Sequence, residues 1–175
     1  MENKQTSNNF LVANNIRSAY NIGSLFRICS SLNFNLILQG ISPYPKLKKD
    51  SRLPYIYEKT HEKIKKTSLG TISKVCFYYF KEEFEVVDFL NSKNVHIYTL
   101  ENNVKKSFNL FNLKKEYIKE PYALILGNEV QGVSSYFINN SSKIIYIPTF
   151  GHKASLNVSV SAGIAGYCLK KLSLS

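Results

Sequence analysis

Residues 10–39 read FLVANNIRSAYNIGSLFRICSSLNFNLILQ, and this stretch decides the fold class. Its first four residues, Phe10, Leu11, Val12 and Ala13, form an uninterrupted apolar run of strand length. After the Asn14-Asn15 break, Ala19, Ile22, Leu25, Phe26, Cys29 and Leu32 recur at the spacing of one helix face. Asn35-Leu36-Ile37-Leu38-Gln39 then returns to a buried strand. A strand, a helix and a second strand in so short a span build a parallel pair, because parallel neighbours need a crossover connection of a dozen or more residues.

The alternation continues downstream. Residues 40–54, with three Pro and four Lys or Arg, read as a long basic loop, and loops of that length are commonly functional. The pattern predicts a short helix over 58–66, a strand over 75–80, a helix over 82–90 and strands over 95–100 and 122–126. A short helix over 134–139 with Ser134 as its N-cap, a strand over 143–147 and a last helix over 156–172 complete the chain. Six strands alternating with helices predict an α/β domain, a largely parallel sheet flanked by helices, with ligands bound beyond the carboxyl ends of the strands. With 175 residues, no internal repeat and no linker, the expectation is a single domain over 1–175.

Composition narrows the function classes. The chain is 44% hydrophobic and 20% charged, within the globular range. Lys plus Arg number 23 against 12 Asp plus Glu, a formal net charge of +11 that favours a polyanionic partner, nucleic acid first. Only Arg17, Arg27 and Arg52 are arginines, so the general positive field comes from Lys. These three therefore mark positions where a planar guanidinium fork is wanted, or reflect a general scarcity of Arg codons. Cys29, Cys76 and Cys168 are widely spaced, odd in number and set among apolar neighbours, which fits reduced thiols better than a disulfide framework or a zinc site. No run approaches the ~18 uninterrupted apolar residues of a membrane span, and the first residues lack a signal-peptide core, so a cytoplasmic protein is expected.

Phosphate-loop, dinucleotide-fingerprint, zinc-protease and serine-hydrolase motifs are all absent. His61, His96 and His152 do not cluster with Cys or carboxylates, so no metal is expected. What stands out is glycine placement: five of the eight glycines fall between Gly127 and Gly166, and a sixth is Gly23. Bare backbone is required where a turn takes positive φ or a ligand lies against the main chain. Three glycine-bearing segments, each after a predicted strand, can meet at one edge of the sheet. They are 14–27, which contains Asn21-Ile22-Gly23 and Arg27; 126–132, Leu-Gly-Asn-Glu-Val-Gln-Gly; and 147–160, Ile-Pro-Thr-Phe-Gly-His-Lys-Ala-Ser-Leu-Asn-Val-Ser-Val.

In order and spacing these segments resemble the three motifs of the SpoU/TrmH-like RNA ribose 2′-O-methyltransferases of the SPOUT superfamily: N-x-G-x-x-x-R, L-G-x-E-x-x-G and I-P-x-x-G-x-x-x-S-L-N-V-S-V. The resemblance spans 11–172, and the last two motifs are specific when they occur together. It implies an α/β fold with a C-terminal trefoil knot, a homodimer, S-adenosylmethionine as cofactor, and tRNA or rRNA as substrate. By the same resemblance Gly127, Ile147 and Leu156, with Leu100, contact the cofactor, and Arg27 is the catalytic residue. Whether Arg27 removes the ribose proton or steadies the alkoxide and a phosphate stays open at this stage. Asn21 is assigned to fix the loop or the ribose. Glu129 is assigned to hold Arg27 or the motif loops, and Ser155 and Asn157 to bind substrate or cap the last helix. Arg17, Lys46, Lys48, Lys49 and Arg52 are expected phosphate contacts.

Two departures from the family stand out. Thr149 replaces the Met that many relatives carry after Ile-Pro, and no separate RNA-binding domain is expected before the catalytic one. The competing reading is a non-catalytic RNA-binding protein on the same fold. Retention of Arg27 together with the whole S-L-N-V-S-V segment argues against it.

Overall fold

Seven strands form one sheet in the order β3-β2-β1-β6-β4-β7-β5 in a computed structural model that describes residues 8–102 and 104–174. The elements are β1 (Phe10–Asn14), α1 (Ala19–Leu32), β2 (Asn35–Gln39), α2 (Pro54–Ser68), β3 (Phe77–Phe80), α3 (Glu83–Ser92) and β4 (His96–Leu100). They continue with β5 (Phe108–Asn109), β6 (Tyr122–Leu126), α4 (Ser135–Asn139), β7 (Lys143–Tyr146) and α5 (Val158–Leu174). Every neighbouring strand pair is parallel, so the sheet is of the expected kind.

Alternating side chains divide between two cores, as a sheet covered on both faces requires. Leu11 and Ala13 of β1, Leu36 and Leu38 of β2, and Leu124 and Leu126 of β6 pack with α1, Ile64 of α2, and Ala162, Ala165 and Leu169 of α5. Phe10 and Val12, Ile37, and Ala123 and Ile125 face the other way, onto Val86, Val87 and Leu90 of α3 and Phe137 of α4. α1 begins at Ser18, whose hydroxyl accepts from the Asn21 amide, and ends at Asn33 in the left-handed conformation.

Four expectations are corrected. α2 starts at Pro54, well before residue 58, because Pro at the first helical position has a preset φ and lacks only an N–H that would have had no helical partner. The third strand is confined to Phe77–Phe80 rather than 75–80. A seventh strand, β5, escapes sequence reading because two residues carry no periodicity; it exists through pairing with Ile145 and Tyr146. The last helix opens at Val158, which leaves Leu156 in the preceding loop.

The strand order positions the site. β1, β2 and β3 run one way from the centre, and β6 inserts between β1 and β4 with β7 beyond. The loops after β1, β6, β4 and β7 therefore leave adjacent carboxyl ends, where open α/β sheets place their ligands.

Candidate active site

A cleft of about 470 Å³ opens at those carboxyl ends, between the loops that follow β4, β6 and β7. Leu100, Gly127, Ile147 and Leu156, four residues distant in sequence, all line it, together with Glu129, Ser155 and Asn157. Leu100 and Ile147 are buried and form apolar wall, whereas Leu156 is 43% exposed and overhangs the opening. The volume lies within the ~300–1,000 Å³ of small-molecule sites, and the mixture of apolar wall and loop backbone is typical of them.

The loop after β6 is a tight turn that only glycine permits at two positions. A Cβ on Gly127 would collide with the Gly132 carbonyl carbon and the Val133 nitrogen. Gly132 has φ +71°, and the Glu101 carboxylate fills the place its Cβ would take. Asn128 ties the turn together: its amide and carbonyl pair with Gly132 at 2.9 Å each way. Its side chain accepts from the Val130 amide at 2.8 Å and donates to the Asn15 carbonyl at 2.6 Å. Glu101, at the end of β4, accepts from the Val133 amide at 2.9 Å, and Asn102 donates to the Ala154 carbonyl at 2.8 Å. Sequence reading missed Glu101, Asn102 and Asn128. The available signal was a Glu-Asn pair directly after the apolar run 95–100, at a strand end beside the motif strands.

Three motif residues form one hydrogen-bonded chain. Asn157 donates to the Asn21 side-chain oxygen at 3.3 Å, and Asn21 donates to Glu129 at 2.9 Å. Glu129 also accepts from the Arg17 amide at 3.3 Å. Glu129 thus holds the motif loops; the alternative, that it holds Arg27, is not what the structure shows. Asn157 caps α5, accepting from the Ser159 amide at 2.9 Å and its hydroxyl at 2.7 Å, so of the two roles offered for it capping is observed. Ser155 is exposed on the cleft rim.

Arg27 is exposed on α1 and lies outside the cleft lining, with no hydrogen-bond or ion-pair partner for its guanidinium among the described residues. Gly23, in the same motif, serves neither a turn nor a ligand: it lies inside α1 where a Cβ would strike Thr67 and the Ile64 carbonyl of α2. It allows those two helices to cross closely.

The basic residues separate into engaged and free. Arg52 donates from Nε and Nη2 to Asp50 at 2.8 and 2.5 Å, and from Nη1 and Nη2 to the Tyr44 and Pro45 carbonyls at 3.1 and 3.3 Å. Its guanidinium also stacks 3.7 Å from the Tyr44 ring centroid. Four of its five N–H donors are occupied, so Arg52 staples the 40–54 loop and keeps one donor for the expected phosphate contact. Its hydrogen bonds hold the Asp50 carboxyl well below the usual carboxylate range. Lys46 is bonded to Glu58 at 2.5 Å, which raises its ammonium pKa. Lys48, Lys49 and Arg17 are exposed. Among the described residues no group of His, Cys, Asp or Glu is arranged to hold a metal ion, and no helix is long and apolar enough to cross a membrane.

Comparison with known proteins agrees with this geometry. The chain is 43% identical over 56 residues to the tRNA (guanosine(18)-2′-O)-methyltransferase of Aquifex aeolicus, covering 32% of this chain and 26% of that one. It is 30% identical over 101 residues to the 23S rRNA (guanosine-2′-O-)-methyltransferase RlmB of Blochmanniella floridana, covering 58% and 38%. The matches thus span between a quarter and two fifths of the length of these two relatives. Among solved structures, the SpoU methyltransferase AviRb from Streptomyces viridochromogenes in complex with AdoMet superposes with a TM-score of 0.74 at 20% identity, covering 94% of this chain and 60% of that one. The AdoMet-bound rRNA methyltransferase from Sinorhizobium meliloti superposes with a TM-score of 0.77 at 17% identity, covering 98% and 59%. At those identities the likeness is one of fold. The family described as the SpoU rRNA Methylase family matches residues 8–167, nearly the whole chain, and to that family this protein belongs.

Proposed function

We propose that this protein transfers the methyl group of S-adenosylmethionine to a ribose 2′-hydroxyl of tRNA or rRNA. The observation that carries the reading is the convergence of Leu100, Gly127, Ile147 and Leu156 on one cleft, tied through Asn157, Asn21 and Glu129 to the helix that bears Arg27. The cleft fits the cofactor: its volume suits a small molecule, apolar side chains offer a slot for a ring, and the Gly127 turn brings bare backbone to the wall. When bound, the cofactor supplies an electrophilic methyl group on a sulfonium.

The chain's own residues do the rest. Leu100, Ile147 and Leu156 exclude water from the slot, and Gly127 allows the tight turn that forms part of its wall. The chain of hydrogen bonds among Asn157, Asn21 and Glu129 fixes the start of α1 against the cleft mouth, and Ser155 on the rim is placed to bond the ribose. Arg27, a donor only, orients the 2′-oxygen and holds the negative charge that develops as the hydroxyl proton passes to solvent water. Arg17, Lys48 and Lys49 contact phosphates, as does Lys46 when RNA competes with Glu58.

Because Arg27 stands outside the cleft of its own chain, the complete site is assigned to a homodimer in which one protomer's Arg27 meets its partner's cleft. Exposed Val160, Tyr167 and Leu174 on α5, which packs beside α1, support such an interface. The return of the chain from β6 past β4 to β7, and then back along α1 as α5, supports a knotted C-terminal passage.

The decisive test is methyl transfer from labelled cofactor to RNA, with the product nucleoside identified by mass spectrometry. A 2′-O-methylated nucleoside is expected. RNA binding without cofactor binding would establish the non-catalytic alternative. Sedimentation should give a dimer at micromolar concentration, and a fully active monomer would overturn the shared site.

A further inference from the structure

Outside the cleft, Tyr20 of α1 and the lysines of α2 line a shallow groove that the methyl-transfer reading does not use. Tyr20 stands 44% exposed on α1, and around it lie Lys59, Lys63 and Lys66 of α2, with Glu62 and Leu69. The three lysines recur at i, i+4 and i+7, so they share one face of α2. All three are exposed, and none has an acidic partner among the described residues. The nearby Glu62 is engaged with Lys65 at 3.6 Å.

The two helices that wall the groove are tied together. Thr67 donates from its hydroxyl to the Tyr20 carbonyl at 2.8 Å, and Gly23 lets α2 approach α1 closely just beyond it. Tyr20 therefore presents its ring from a fixed backbone. Tyr20 and Arg27 are seven residues apart, two turns on the same face of α1, about 10 Å along its axis.

From this juxtaposition we infer that the Tyr20 groove is an RNA contact, in which an unstacked base lies on the Tyr20 ring while Lys59, Lys63 and Lys66 meet the phosphates on either side. An aromatic ring within a set of uncompensated lysines is the combination that binds single strands: the ring takes any base by its π-face and the ammonium groups follow the backbone. An acidic peptide would use the lysines and leave the ring without a partner. The inference rests on RNA as the substrate class, and it places a flexible segment next to the nucleotide that Arg27 attends.

The test uses the full chain and fluorescence anisotropy with a labelled single-stranded RNA of about 12 nucleotides, the duplex of the same sequence, and polyglutamate as competitor. Tyr20→Leu should weaken single-strand binding by roughly tenfold and Tyr20→Phe by no more than about twofold, since Phe keeps the stacking surface. Replacing Lys59, Lys63 and Lys66 together with Gln should lower the log–log salt slope by about 2, at ~0.7 per phosphate contact on a single strand. Thermal unfolding of each variant should match wild type, because none of the four side chains is buried.

Wild-type affinity in Tyr20→Leu, an unchanged salt slope in the triple variant, equal loss for the duplex, or displacement by polyglutamate as effective as by RNA would each overturn the groove. Calorimetry with the cofactor on the same samples separates this outcome from the larger reading. A protein that binds RNA through the groove but never binds the cofactor loses the methyl-transfer function and keeps the groove. One that methylates RNA with Tyr20→Leu unaffected keeps the function and loses the groove.

Discussion

Replacing Gly127 with Ala tests whether the bare turn after β6 is required for the cleft. The new Cβ falls 2.3 Å from both the Gly132 carbonyl carbon and the Val133 nitrogen, so this peptide must retreat by about 1.1 Å to reach the 3.4 Å of ordinary contact. That peptide is not free to move. The Gly132 carbonyl accepts from the Asn128 amide and the Val133 amide donates to Glu101, both at 2.9 Å. Relief therefore stretches these bonds or overpacks the turn, and either way a cost of about 1–3 kcal/mol follows. For a chain of this size a 2 kcal/mol loss lowers Tm by roughly 4–8 °C. Because Gly127 and Gly132 both line the cleft, the same displacement should weaken cofactor affinity by about tenfold or more, which corresponds to ~1.4 kcal/mol. Gly151→Ala is the control within the motifs: nothing lies within 4 Å of its Cβ position and its φ is not positive, so stability should change by less than ~0.5 kcal/mol. Thermal unfolding and titration calorimetry read both quantities. Gly127→Ala with Tm within about 1 °C of wild type and undiminished affinity, or Gly151→Ala equally damaged, would refute the reasoning.

Three further outcomes are expected. Asn157→Ala removes the cap of α5 and should cost about 0.5–2 kcal/mol by denaturant unfolding, whereas Asn157→Asp keeps the acceptor and should unfold near wild type despite losing its donor to Asn21. Arg27→Lys should lower kcat by roughly 10²-fold in single-turnover methylation with saturating RNA and leave cofactor affinity within a few-fold, because Lys lacks the planar fork; near-normal chemistry would show that only charge is needed. Burial pushes the Cys29 thiol above its ordinary 9.0, so the unfolded state releases this proton first as pH rises. Stability is full below about pH 9 and falls above it by up to ~1.4 kcal/mol per pH unit from this group; a Cys29→Ala variant that shows the same alkaline slope would contradict this.

Local signals are legible in this sequence because they depend on neighbours a few residues away. The strands 35–39 and 122–126 and the Ser134 cap follow from apolar runs and a hydroxyl at a helix start. The resemblance to the SpoU family also pointed to Leu100, Gly127, Ile147 and Leu156, which meet in one cleft. It could not say how they meet. The strand order that sets β6 between β1 and β4 depends on which long-range pairings bury the most surface, and no local period encodes that choice. The bonds that join the motifs span 108 residues from Asn21 to Glu129 and 136 from Asn157 to Asn21, so Glu129's partner was visible only once the chain had folded. Arg52 shows the converse: its composition marked it for phosphate, and a carboxylate two residues away with two loop carbonyls used four of its donors first. Sequence by itself determined the layers, the three motif loops that border the cleft and the charge of the chain. Tertiary structure alone decided which glycines serve turns and which serve helix crossings, which arginines remain free, and that Arg27 stands outside the cleft of its own chain, since each depends on atoms brought together from distant segments.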